Sequence, residues 1–144
     1  MAITQAMCTS FKQALLDGEM DFSSDSSQTF KIALYDSSAT LDATTTAYTA
    51  SGEVSGTGYS AGGETLSVST NPTTSGTTAF LSFSDVTWSA ATITARGALI
   101  YLADGVTDPA VAVLNFGSDI TSTNGDFTVQ FPAAAGATAI LRLA

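Results

Sequence analysis

Two rhythms of apolar residues run along this chain, and they divide it unevenly. From the N-terminus Ile3, Met7, Phe11 and Leu15 recur every fourth position with Ala6 and Ala14 beside them, the spacing that places side chains on one face of a helix. Thr4 suits a helix cap and Gly18 a helix stop, so residues 1–18 read as an N-terminal helix of about three to four turns. The stripe is narrow, so such a helix packs on the body of the protein or on a neighbouring chain.

Beyond it the period shortens to two. In Thr29–Tyr35 (TFKIALY) Phe30, Ile32 and Leu34 share one face and Lys31, Ala33 and Tyr35 the other, which predicts a strand. Further strands are expected at Glu64–Ser69, Thr77–Ser84 with its continuation past a bend over Asp85–Ser89, Ala91–Ala95, Ala98–Leu102, Ala110–Asn115, Phe127–Phe131 and Ala137–Leu143. Ala98–Leu102 and Ala110–Asn115 flank the turn-forming run ADGVTDP and read as a hairpin. Their near-continuous apolar character means that both faces are covered, by a second sheet or by another copy of the chain. Asn124–Gly125 is the standard pair for a tight reversal. Glu19–Gln28 (EMDFSSDSSQ) reads as a linker or an exposed loop, NPTTSG at 71–76 as turn, and 36–78 as an irregular, loop-rich segment. A helix followed by about seven or eight short strands at roughly ten-residue spacing predicts a mainly β fold: a single domain over 1–144, an antiparallel β-sandwich or jelly-roll-like body over 29–144 behind the helix.

Composition narrows the function. Ser and Thr make up roughly a quarter of the residues, which together with 12 glycines suits short strands and tight turns. With 13 acidic and 4 basic residues the net charge is −9. Lys12, Lys31, Arg96 and Arg142 are scattered, so no cluster is present to neutralise adjacent phosphates, and a nucleic-acid partner is not expected. Histidine is absent and Cys8 is the only cysteine, which removes the usual general base, the usual zinc ligands and any intrachain disulfide. The first sixteen residues lack an unbroken apolar core of signal-peptide length, and no segment approaches the roughly 18 apolar residues of a membrane span. No cofactor, metal or membrane partner is expected.

The remaining candidates for chemistry have simpler readings. GTGYSAGG at 56–63 lacks the Lys-Ser/Thr ending of a phosphate-binding loop, and hairpin turns account for its glycines. Most carboxylates, among them Asp36, Asp42, Asp104, Asp108, Asp119 and Asp126, fall in turn-like contexts where Asp bonds locally, so no pair stands out as a glycosidase couple; Glu53 and Glu64 would be the pair to mutate if glycan degradation were found. The loops 104–108 and 118–126 offer oxygens to calcium without the spacing of an EF-hand. Tyr48, Tyr59, Trp88 and Tyr101 would serve a sugar platform, but in a β-rich domain they serve more often as core or interface anchors. Arg96 and Arg142 sit in apolar sequence, and Asp85 or Asp119 would serve Arg96 as ion-pair partner within or between subunits. What remains is a surface for other proteins, with Met7, Phe11 and Leu15 of the helix stripe, the aromatics Tyr48, Tyr59 and Trp88, and Arg96 as its expected contacts.

TFKIALYDSSATLD (29–42), EVSGTGYSAGG (53–63) and TARGALIY (94–101) resemble a recurrent family of small virion structural proteins of tailed bacteriophages, and the resemblance runs from the helix to the closing strand. It implies a non-enzymatic virion component made in the host cytoplasm, with no catalytic residues to carry over. Similar proteins include capsid decoration, or cement, proteins: small β-rich domains, often trimers, that sit on the outer surface of the major capsid protein shell and bridge capsomers. The expectation is therefore a decoration protein whose partners are the major capsid protein and itself, as a homotrimer, with acidity suited to facing solvent rather than packaged DNA. The alternative is a tail, baseplate or fibre component that binds another tail protein or a host-surface glycan.

Overall fold

The computed structural model describes residues 2–144. The chain forms β1 (Ala6–Met7), α1 (Thr9–Asp17), β2 (Phe30–Tyr35), β3 (Glu64–Thr65), β4 (Val68–Ser75), β5 (Thr78–Phe83), β6 (Val86–Leu102), β7 (Ala110–Val129) and β8 (Leu141–Leu143). They make two antiparallel sheets, ordered β1-β7-β6-β2-β3 and β4-β5-β8. The protein is thus mainly β, a β-sandwich with one short N-terminal helix.

The helix is shorter than the period of four predicted. Ile3 bridges Leu41 and Ala6–Met7 pair with Val113 and Ala112 at the margin of the large sheet. Cys8, extended at φ −67°, ψ 140°, then precedes a helix that begins at Thr9. Ile3 and Met7 therefore lie on extended chain, and the expected cap Thr4 instead donates its amide to the Leu41 carbonyl. The far end is as expected: Gly18 is left-handed (φ 74°), and the amides of Gly18 and Glu19 close on Leu15 and Ala14. Phe11 and Ala14 are the buried face.

β6 and β7 form one hairpin of 17 and 20 residues, where the sequence suggested several short strands and a reversal at Asn124–Gly125. The pairing shifts register at four places along the ribbon, and two of these are single-residue bulges that offset each other. Between the pairs Trp88↔Phe127 and Ala91↔Gly125 β6 carries an extra residue, and between Ala91↔Gly125 and Ile93↔Ser122 β7 carries one. The left-handed residues Ala90 (φ 50°) and Asn124 (φ 47°) absorb them. The two insertions cancel, so Trp88 and Ile93 both stay on the buried face while Thr87 and Thr94 stay outside. Asn124–Gly125 thus supplies the unusual backbone its composition promised, in a bulge instead of a turn. NPTTSG is likewise strand for most of its length. β4 is an edge strand with two register shifts on β5, a place that tolerates Pro72, and the chain reverses only at Gly76 (φ 60°).

Of the two readings of Glu19–Gln28 the segment is a loop and not a free linker, with Met20 and Phe22 buried among otherwise exposed or half-buried residues. Phe22 within it is buried and touches three other rings: Phe11 of α1 edge-on at 5.8 Å, Phe30 of β2 stacked at 4.2 Å, and Phe83 of β5 at 6.3 Å. Phe83 in turn meets Phe131 at 5.7 Å. The loop is tied by Gln28, whose Oε1 accepts the Asp21 amide while its Nε2 donates to the Glu19 carbonyl, and by Asn71, whose Oδ1 accepts the Ser24 amide.

The irregular 36–63 stretch is laid on the large sheet. The Val54 amide donates to Leu34 O, and the Thr92 amide donates to Thr57 O, so the segment takes over the margin of β6 where β2 has ended. Its glycines allow close approach rather than hairpin turns: a Cβ on Gly58 would fall 2.7 Å from Ala91 Cα, and one on Gly63 would collide with the Ile32 carbonyl. Gly63 and Gly76 have similar left-handed backbones, φ 75° and φ 60°, but Gly76 faces open space. Gly76→Ala is expected to cost about 1 kcal/mol from backbone strain alone, and Gly63→Ala about 3 kcal/mol or more because backbone must also move. Urea unfolding of the two variants checks the difference; equal losses would contradict the close packing of this segment.

Candidate functional site

The sequence-selected contacts separate into three places. Tyr48 and Tyr59 belong to a cluster inside the irregular segment, centred on Glu53. One Glu53 carboxylate oxygen accepts Tyr59 Oη and the Gly62 amide, each at 2.7 Å, and the other accepts Tyr48 Oη at 2.5 Å. Tyr59 Oη also accepts the Leu34 amide of β2 at 2.9 Å. Tyr35 donates to Thr49 O and Tyr101 to Gly62 O, while the Tyr48 and Tyr101 rings stack at 4.9 Å. Every hydroxyl in the cluster is engaged within the chain, so these side chains fasten a loop to a sheet.

Burial, followed by the Glu53 carboxylate, raises the hydroxyls of Tyr35, Tyr48 and Tyr59 above the ordinary value. Burial, then Asp108 and Glu53, pushes Tyr101 up to about 12.

Trp88, expected as a partner contact, is a core residue. It is 2% exposed, packed between Tyr59 (6.0 Å) and Phe127 (6.1 Å), so its indole does not reach a surface partner. Arg96 lies on the outer face of the β6–β7 ribbon, where its Nε pairs with Asp119 at 2.7 Å; Asp85 accepts the Phe131 amide instead. With the two side chains 37% and 48% exposed, this pair contributes at most about 1 kcal/mol. Arg142 is exposed too, donating to Ala137 O. Neither arginine is a charge stranded in an apolar interior.

Asp104 spends its carboxylate on the hairpin turn, accepting the amides of Val106, Thr107 and Asp108 at 2.8 Å each. Those bonds hold it well below the usual carboxylate range. The 118–126 stretch is strand, and no group of three or more potential metal ligands gathers among the described residues. Cys8 is buried, and burial with the nearby Asp42 pushes its thiol up to about 11, which makes it a poor nucleophile. No helix among the described residues is long and apolar enough to cross a membrane.

Met7, Phe11 and Leu15 do come together, although they come from two elements. They form one wall of a groove of about 280 Å³ between α1 and the small sheet; Met20 and Phe22 continue that wall, and Phe80 and Leu81 of β5 with Leu141 and Leu143 of β8 form the other. Phe11 is 2% exposed and forms the floor, Leu15 is half-buried, and Leu143 is 50% exposed at the lip. Asp21 is the only charged residue among those described that line it. The Ser23 hydroxyl and amide hold its carboxyl below the usual range. The closing strand was expected over Ala137–Leu143, and Leu141–Leu143 is β8, but its place in the groove was not; Pro72 was read as turn because its neighbours in β4 are exposed. This groove is the candidate functional site: it is apolar and open, with Asp21 as the one charged side chain among the described residues that line it.

Compared with protein-family models, with curated proteins and with solved structures, the chain matches none.

The Glu53 cluster gives two expected outcomes. Glu53→Ala leaves two phenols and an amide without their acceptor and should lower stability by about 2–4 kcal/mol, read by urea unfolding; a change below about 0.5 kcal/mol would show that the carboxylate is not the fastening. Because the folded phenols titrate above the unfolded value near 10, their contribution is complete below pH about 10 and lost as pH rises beyond it. Phenolate absorbance of the native protein should lag that of the urea-unfolded chain, with unfolding free energy falling over the same range.

Proposed function

We propose that this chain is a structural protein of the tailed-phage virion, and within it a capsid decoration protein that lies on the outer surface of the major capsid protein shell and bridges capsomers. The observation that carries the reading is the open apolar groove between α1 and the small sheet, a surface whose physical use is to be covered by protein. The resemblance of the 29–42, 53–63 and 94–101 segments to small virion structural proteins supplies the setting. The net charge of −9 fits a solvent-facing position, since packaged DNA would repel it.

The proposed mechanism is additive and non-catalytic. A rigid sandwich holds the groove against one neighbour while further surface meets another copy, as in a homotrimer, and modest contacts repeated around a shell stabilise the assembled state by mass action. Leu16, 90% exposed, and Val106, 87% exposed at the β6–β7 hairpin tip, are apolar points that such contacts would cover.

Omission of the protein from particles tests the role. Particles without it are expected to release DNA at a lower temperature than complete ones, and re-addition should restore the difference. Identical rupture temperature with full DNA retention would reject the decoration role. A stained gel of purified particles giving a copy number near that of the major capsid protein supports it, whereas a handful of copies would place the chain in the tail.

A further inference from the structure

We infer that the groove between α1 and the small sheet receives an apolar-anchored segment with basic flanks from a partner protein. The inference rests on the docking role proposed for this groove and not on its placement in a virion. Size sets the kind of anchor. At about 280 Å³ the groove has roughly twice the 150 Å³ or so that accommodates one benzene ring, room for one or two large apolar side chains. Met7 and Met20 in its walls are unbranched and polarizable, so they adjust to the shape that enters.

Charge sets the flanks. Leu15 and Met20 line the groove, and between them in the chain stand Asp17 and Glu19, both exposed; Asp21 lines the groove itself. With Asp25 that makes four carboxylates in residues 9–25 against the single cation Lys12. The C-terminal pole of α1, which carries partial negative charge of its own, ends at this same place, and no basic residue occupies its last turn. Among the described residues Asp17 and Glu19 form no ion pair; the salt bridge there is Arg96–Asp119, on the ribbon. An apolar slot with Asp21 in its lining, and with Asp17 and Glu19 next to its lining residues in the chain, favours Lys- or Arg-flanked apolar residues. It disfavours a second copy of a chain with net charge −9.

The test uses the full chain with methyl-labelled methionine and two short synthetic peptides that share Leu and Phe anchors, one flanked by Lys and one by Glu. The Lys-flanked peptide is expected to shift the Met7 and Met20 signals saturably, with affinity falling at high salt, and the Glu-flanked peptide to leave them in place. Joint Asp17→Asn and Glu19→Gln substitution, at exposed positions, should weaken the Lys-flanked peptide about five-fold with an unchanged unfolding midpoint. Leu143→Ser, at the half-exposed lip, should weaken it further. Equal binding of both peptides would overturn the inference, as would Met7 and Met20 shifts that appear with rising protein concentration alone, which mark self-association, or with neutral lipid vesicles. Absence of the chain from purified particles would remove the virion reading and leave the peptide result standing. Failure of the peptide to bind a chain abundant on particles would remove this inference alone.

Discussion

One ring holds the two sheets and the helix in register. Phe22 contacts Phe11, Phe30 and Phe83, so a single buried side chain from a loop joins α1, the large sheet and the small sheet. A three-stranded sheet with an exposed edge strand carrying Pro72 would be marginal alone, and β8 adds only three residues to it. The aromatic seam ties its inner face to the large sheet. The groove lies beside the same seam: Phe11 and Phe22 line it together with Phe80 and Leu81 of β5.

The large sheet meets a different constraint. β6 and β7 extend well past β2, which stops at Tyr35, and past β1, which covers only two residues of β7. On the β6 side the 36–63 segment supplies the missing hydrogen bonds, with Gly58 and Gly63 permitting its approach and Glu53 with its tyrosines fixing it there. The buried carboxylate-phenol contacts therefore serve the sheet margin: without them the loop would leave backbone groups of β6 uncovered.

Legibility in the sequence followed burial. Elements with one face in the core and one in solvent, or with both faces covered, were readable: β2, the inner halves of β6 and β7, and the left-handed stop at Gly18. Elements with little burial were not, and the 71–75 part of β4 reads as turn because all five of its residues are exposed and one is proline. The N-terminal stripe misled for another reason. Ile3 is buried and Met7 partly buried by pairing with Leu41 and β7, partners far away in the chain, so a spacing of four arose from two extended contacts followed by a helix. Glu53 was visible only as one carboxylate among 13; its role depends on Tyr48, Tyr59 and Gly62 converging on it, which no local spacing encodes. Phe22 was hidden by its neighbours, since a lone aromatic among Ser and Asp carries no period.

The same contrast separates structural from available surface. Tyr48, Tyr59 and Trp88 are the residues that composition alone would favour as interface anchors, yet their hydroxyls are engaged internally or their rings enclosed. Met7, Leu15 and Leu143 are less conspicuous side chains, but they retain apolar surface that nothing in the chain covers. Binding surface is a matter of what folding leaves unsatisfied, not of residue type. In this protein folding leaves an apolar slot and, beside it, carboxylates at the negative pole of a short helix. Desolvating the slot favours any apolar group, and a cation beside it would meet Asp21 in the lining and Asp17 and Glu19 next to it in the chain. A ligand that met both conditions would gain twice, and that coupling is what would give the proposed docking groove its selectivity.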